Sequence, residues 1–170
     1  MRPCLFFTVC LGFFSVFSAQ ATDLVLGKPA PAYEIKTLAG KSITPAVAKG
    51  RILIIHLWAT WCEQCVKEMP EVEAFYQRYH DRGVDVVAVS LDDRSDKDKV
   101  NQAMKSFSFP AAMEADSDLH RLGRIWRVPV TFVIDQNGIL RRNGWDGDPQ
   151  VDVTILEKTV TPWLTSPASN

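Results

Sequence analysis

Apolar and polar positions divide the chain into alternating strand-like and helix-like stretches. Arg51 to Trp58 is an apolar run rich in branched residues, the pattern of a strand buried on both faces. From Cys62 to His80 the apolar positions Val66, Met69, Val72, Phe75, Tyr76 and Tyr79 recur at helical spacing, with Pro70 inside as an expected kink. Val84 to Leu91 is again strand-like. A solvated charged loop over Asp92 to Asp98 then leads into a helix through Met104 to Phe107, broken by Phe109-Pro110. A short segment at Ala111 to Ala115 and a small helix over Asp118 to Gly123 follow. The clearest hairpin joins Val130–Ile134 to Ile139–Arg142 through a turn carrying Asn137-Gly138. Asp152 to Trp163 closes with a helical apolar stripe, and Tyr33 to Ile43 predicts a short hairpin around Ala39-Gly40. The order predicts an α/β fold with parallel middle strands and an antiparallel final hairpin.

The first residues differ from the rest. Arg2 precedes an uncharged run from Leu5 to Phe17, and Ala19-Gln20-Ala21 supplies a small-x-small cleavage pattern. This predicts a secretory signal over residues 1–21, with a retained membrane anchor as the alternative. The expected domain is then 22–165, with a polar flexible tail at 166–170. The chain is accordingly expected to be exported, in a periplasmic setting. Its charge is balanced, with 19 Lys+Arg against 20 Asp+Glu, which argues against a nucleic-acid partner. Oligomeric state leaves no trace in the sequence.

Cleavage at the expected point removes Cys4 and Cys10, so that four cysteines become two, Cys62 and Cys65. They stand where a buried strand hands over to a helix, and export places them where disulfides persist. A two-residue spacer at a helix start lets two sulfurs meet. The first would sit at the helix N-terminus, where unpaired N–H groups stabilise an anion. Cys62 is therefore the expected attacking thiolate and Cys65 the resolving thiol. A structural disulfide would close almost no loop and stabilise little. Zinc would need two more ligands, which only His56, His80 and His120 could help supply. No metal or cofactor is expected.

His56-Leu57-Trp58-Ala59-Thr60-Trp61-Cys62-Glu63-Gln64-Cys65 resembles the active-site stretch of thioredoxin-like proteins, and more narrowly that of the exported TlpA/ResA/DsbE-type family. Pro70 matches the helix proline of thioredoxins. Val128-Pro129-Val130-Thr131-Phe132 matches the segment that carries their cis-proline. The resemblance implies a thioredoxin-like fold: a central mixed sheet flanked by helices, with an N-terminal hairpin extension and a central insertion over Asp92 to Arg127. It also implies a thiol-disulfide oxidoreductase whose substrates are protein disulfides, apocytochrome c among them. A membrane conduit of the DsbD/CcdA type would supply its electrons.

The same resemblance assigns provisional roles. Val128 and a cis Pro129 would present backbone to an extended substrate, beside a surface Trp61. Glu68 coincides with a glutamate the family keeps near its active site and would exchange a proton with the thiols. His56 departs from the thioredoxin pattern, which has a buried aspartate there. An imidazole titrating near working pH could do similar work, or the residue could be a core histidine. Glu63 opposes thiolate formation at Cys62 and points to a moderately reducing potential. Trp58, Tyr76, Tyr79, Phe107, Phe109 and Trp126 read as packing. Two other readings of the cysteines remain: a copper-binding assembly protein and a peroxiredoxin-like peroxidase.

Overall fold

The computed structural model describes residues 24–164. The signal read over residues 1–21 and the tail over 166–170 lie outside the described residues. In chain order the elements are β1 (Ile35–Lys36), β2 (Ser42–Ile43), α1 (Pro45–Ala48), β3 (Ile52–Trp58), α2 (Glu63–Tyr79), β4 (Val84–Ser90) and α3 (Lys97–Met104). β5 (Ala111–Met113), β6 (Val130–Ile134), β7 (Leu140–Arg142) and α4 (Val153–Val160) complete them. β1 and β2 form a separate antiparallel hairpin. The main sheet runs β5-β4-β3-β6-β7.

β3 is buried at all seven positions and lies at the middle of this sheet. It pairs in parallel with β4, Ile54 opposite Val86, and antiparallel with β6, His56 opposite Thr131. Successive strand side chains point to opposite faces. Ile52, Ile54 and Trp58 therefore pack with Met69, Val72 and Phe75 of α2 and Leu156 and Val160 of α4. Leu53, Ile55 and Leu57 pack on the other face with Tyr33, Ile35, Leu119 and Leu122, supplied by the hairpin and the insertion. Both faces of β3 are thus covered, which explains its continuous apolar run.

α2 buries the stripe Cys65, Met69, Val72, Phe75, Tyr76 and Tyr79. Val66, expected in that stripe, is instead 49% exposed. It stands about 100° around the helix from Cys65 and so faces solvent. α4 is capped by Asp152, whose carboxylate accepts the Ile155 N–H at 2.7 Å. It joins α2 through Arg78 and Tyr79, which both donate to Glu157.

The insertion departs most from the sequence reading. α3 starts at Lys97 and stops at Met104, whereas a helix through Phe107 was expected. Phe107 and Phe109 stack on each other at 5.6 Å instead, and Pro110 biases the residue before it towards extended backbone. The small helix expected over Asp118 to Gly123 is one 3-10 turn at His120–Leu122, ended by Gly123 at φ +95°. Asp92 is not solvated with its charged neighbours but buried, because its carboxylate is fully hydrogen-bonded.

At Gly144 the loop after β7 lies close against β6. A Cβ there would lie 2.5 Å from Val130 Cγ1 and 2.6 Å from the Thr131 backbone nitrogen. Backbone cannot yield as a flexible side chain does. Gly144→Ala is therefore expected to cost about 1–3 kcal/mol in urea unfolding of the oxidised protein. An unchanged midpoint would show that the loop can lift from β6 without loss.

Candidate active site

Beyond Trp58 the chain leaves the sheet through a turn closed by the Cys62 N–H donating to the Ala59 carbonyl at 3.1 Å. Cys62 caps α2, and its sulfur accepts the Cys65 N–H at 3.2 Å. The two cysteines form a disulfide, with Cα atoms 5.2 Å apart. Exposure separates them: Cys62 retains 9% of its surface and Cys65 none. Cys62, at the helix start, is the more accessible of the two residues.

The turn is anchored from the end of β4. Asp92 accepts the Thr60 N–H at 2.8 Å, the Thr60 hydroxyl at 2.5 Å and the Ser90 hydroxyl at 2.6 Å. Burial pushes its carboxyl up, but these hydrogen bonds win and hold it below the usual range. Ser90, two residues earlier, is a local partner, but Thr60 comes from 32 residues away, and nothing near Asp92 in the sequence points to it.

Val128–Pro129 is a cis peptide. Val128 packs against the apolar cluster that holds Cys62, Cys65 and Trp58. Its backbone groups make no hydrogen bond among the described residues. Trp61 is 65% exposed, whereas Trp58 is buried. Trp126, read from sequence as packing, is 70% exposed. It lies on the run leading to Val128 and is held from the side, its ring stacked on Trp145 at 6.3 Å with the Arg127 guanidinium 5.1 Å from its centre. Ile125 and Val128 turn inward on that run, which leaves Trp126 outward.

His56 stands between Ile54 and Trp58 on the sheet face that carries α2. It is fully buried, its Nδ1 is 3.0 Å from the Thr131 hydroxyl, and its Nε2 has no hydrogen-bond partner among the described residues. Burial lowers its pKa from 6.5 to about 4. Of the two sequence readings of His56, burial favours the core histidine over the imidazole titrating near working pH, because desolvation disfavours the cation.

Glu68 lies one helical turn past Cys65 and is 3% exposed. Burial raises its pKa from 4.5 to about 7, with Asp148 adding to the rise and Gln64, the Val151 backbone and Arg142 opposing it. Glu63, expected to oppose a thiolate at Cys62, is bonded instead to Lys67 at 2.7 Å, which offsets its charge. Helical i,i+4 spacing could have shown both the Glu63–Lys67 and the Gln64–Glu68 pairs from sequence. The structure thus gathers Cys62, Cys65, Val128 and Trp58 in one cluster, with His56 on the same sheet face and Glu68 a turn along α2.

A carboxyl with a raised pKa keeps its proton in the fold at pH values where the unfolded chain has lost it. The stability linked to Glu68 is complete below about pH 4.5 and is lost as pH rises to about 7. Glu68→Gln is therefore expected to stabilise the oxidised protein above pH 7 by up to about 3 kcal/mol, the gap closing by pH 4.5. The depressed pKa of His56 removes stability as pH falls from 6.5 to 4, equally in both proteins. Urea unfolding at pH 5 and pH 8 measures the difference, and equal gaps at both would refute it.

Residues 26–143 match the model of the AhpC/TSA family. The chain is 33% identical over 134 residues to the thiol-disulfide oxidoreductase ResA of Bacillus thuringiensis (strain Al Hakam), covering 78% of this chain and 74% of the relative. It is 32% identical over 114 residues to ResA of Bacillus subtilis (strain 168), covering 66% and 63%. The thioredoxin domain of a thiol-disulfide oxidoreductase from Bacteroides vulgatus superposes with a TM-score of 0.67 at 22% identity, over 84% of this chain and 99% of the other. A thiol:disulfide interchange protein DsbE from Chlorobium tepidum gives 0.59 at 25% identity, over 69% and 82%. A thioredoxin-like sheet, a capped Cys62–Cys65 disulfide at a strand-to-helix turn and these relatives agree: the chain belongs to the AhpC/TSA family, as a thiol-disulfide oxidoreductase of the ResA type.

Proposed function

We propose that the protein is an exported reductase of protein disulfides in which Cys62 attacks and Cys65 resolves. The exposure difference between the two cysteines carries this reading: Cys62 retains some surface and Cys65 none. The Cys62 thiolate attacks one sulfur of a substrate disulfide, forming a mixed disulfide and expelling the other substrate sulfur as a thiolate. The Cys65 thiolate then attacks the Cys62 sulfur and expels the second substrate thiolate. Two electrons pass to the substrate, and the enzyme is left as the Cys62–Cys65 disulfide.

Cys65 must lose a proton before it attacks. Glu68, a turn away with a pKa near 7, accepts it and returns it when the enzyme is reduced again. His56 stays neutral and supports the packing beneath the site rather than this transfer. The unpartnered backbone of Val128, with Pro129 after it, is the edge on which an extended substrate segment lies, and Trp61 is the surface beside it. Re-reduction requires a thiol donor outside this chain, and a membrane conduit of the DsbD/CcdA type suits an exported protein. The haem-attachment cysteines of an apocytochrome c are a fitting substrate, because they must be kept as thiols.

The reading is tested with the protein lacking residues 1–21, supplied with a dithiol and insulin as a disulfide substrate. Wild type is expected to reduce insulin catalytically, and Cys62→Ser to fall to background. Cys65→Ser is expected to accumulate a mixed disulfide at Cys62. Trapping through Cys65 in a Cys62→Ser variant, or turnover of hydrogen peroxide in place of the disulfide, would overturn it.

A further inference from the structure

The two spacer residues between the cysteines make separate connections. Glu63 reaches outward to Lys67. Gln64 is half-buried and reaches along the helix, its Nε2 donating to Glu68 Oε1 at 3.3 Å. This is the one side-chain hydrogen bond to Glu68 among the described residues; Oε2 is buried without a partner. Arg142, whose charge opposes the rise, makes no hydrogen bond to Glu68; one terminal nitrogen donates to the carbonyls of Asp148 and Gln150 at 2.8 and 3.3 Å. Glu68 and Gln64 also share the wall of a polar cleft of about 360 Å³ with Lys67, Glu71, Asp148 and Asp152.

We propose that Gln64 is the positioning residue for Glu68, so that the spacer of the Cys62–Cys65 motif governs the proton-handling carboxyl as well as the sulfurs. The inference rests on the role given above to Glu68. Its geometry is fixed by the helix: residues four apart lie on one face, so Gln64 sits over Glu68 whenever α2 is formed. An amide N–H stabilises the ionised carboxyl more than the neutral one. With Gln64 in place, Glu68 can shed its proton to the cleft near neutral pH. Without it, the carboxyl keeps its proton to higher pH and is ionised less often near neutral pH, so it is less often free to take the proton of Cys65. The other charged groups facing the carboxyl are Lys67 and Glu71 on α2, Arg142 on β7, Asp148 in the loop after it and Asp152 at the start of α4. Their signs are mixed, and none replaces the hydrogen bond.

The test is a carbon-13 NMR titration of Glu68 in the oxidised protein, which needs no turnover. Gln64→Met keeps the length and removes the donor; Gln64→Ala is the second variant in case the first disturbs folding. Both are expected to raise the Glu68 midpoint by about half a pH unit or more. Gln64→Glu, which adds a like charge, should raise it further. The pH profile of insulin reduction should move with the midpoint. A merely structural contact would lower the melting temperature and leave the midpoint in place. An unmoved midpoint in both Gln64→Met and Gln64→Ala overturns the inference, even if Glu68→Gln still abolishes the pH dependence of the rate. A shifted midpoint upholds the positioning of Glu68 by Gln64. If the rate profile then fails to follow it, the role given to Glu68 is what fails.

Discussion

Burial of β3 on both faces is the constraint from which the site follows. A strand clamped between two apolar layers, parallel to β4 and antiparallel to β6, has no freedom of register. Its last residue, Trp58, is locked in the core, so the turn over Ala59 to Cys62 starts from a fixed point. Asp92 fixes the far side of that turn through Thr60. The N-terminus of α2 is thereby held where the Cys65 N–H meets the Cys62 sulfur.

Around that sulfur the protein sorts its ionisable groups by solvation. Asp92 is buried yet charged, because hydrogen bonds from Thr60 and Ser90 replace the water it lost. His56 is buried with a single hydroxyl neighbour and stays neutral. Glu68 lies between these cases, with one oxygen bonded and the other not. Three side chains of ordinary acidity in water thus acquire three different charge states in the fold, and only Glu68 titrates where the thiol chemistry operates.

The strands and α2 were legible because their signals are local. A continuous apolar run marks a doubly covered strand, a 3.6-residue stripe marks the face of α2, and Asn137-Gly138 marks the β6–β7 turn. The cysteine pair was legible for the same reason. What could not be read came from distant partners. Asp92 looks like one member of a charged loop until Thr60, 32 residues away, is brought to it beside Ser90. Trp126 looks like core until the path of the chain into Pro129 turns it outward. The acidity of His56 depends on the burial of the whole sheet, which no neighbouring residue reports. The insertion was misjudged where short helical patterns compete with proline and glycine breaks, at Phe109-Pro110 and Gly123.

The pairing of His56 with Thr131 joins residues 75 positions apart in the chain. β3 gains its parallel neighbour from the segment just after α2, but its antiparallel neighbour arrives only with the last third of the chain. Contacts of such long range close late in folding. A nascent polypeptide therefore carries both cysteines well before β6 can bring the Val128–Pro129 bond to its place beside β3. The sulfur pair is written into four neighbouring residues, whereas the surface around it is assembled from the far end of the chain.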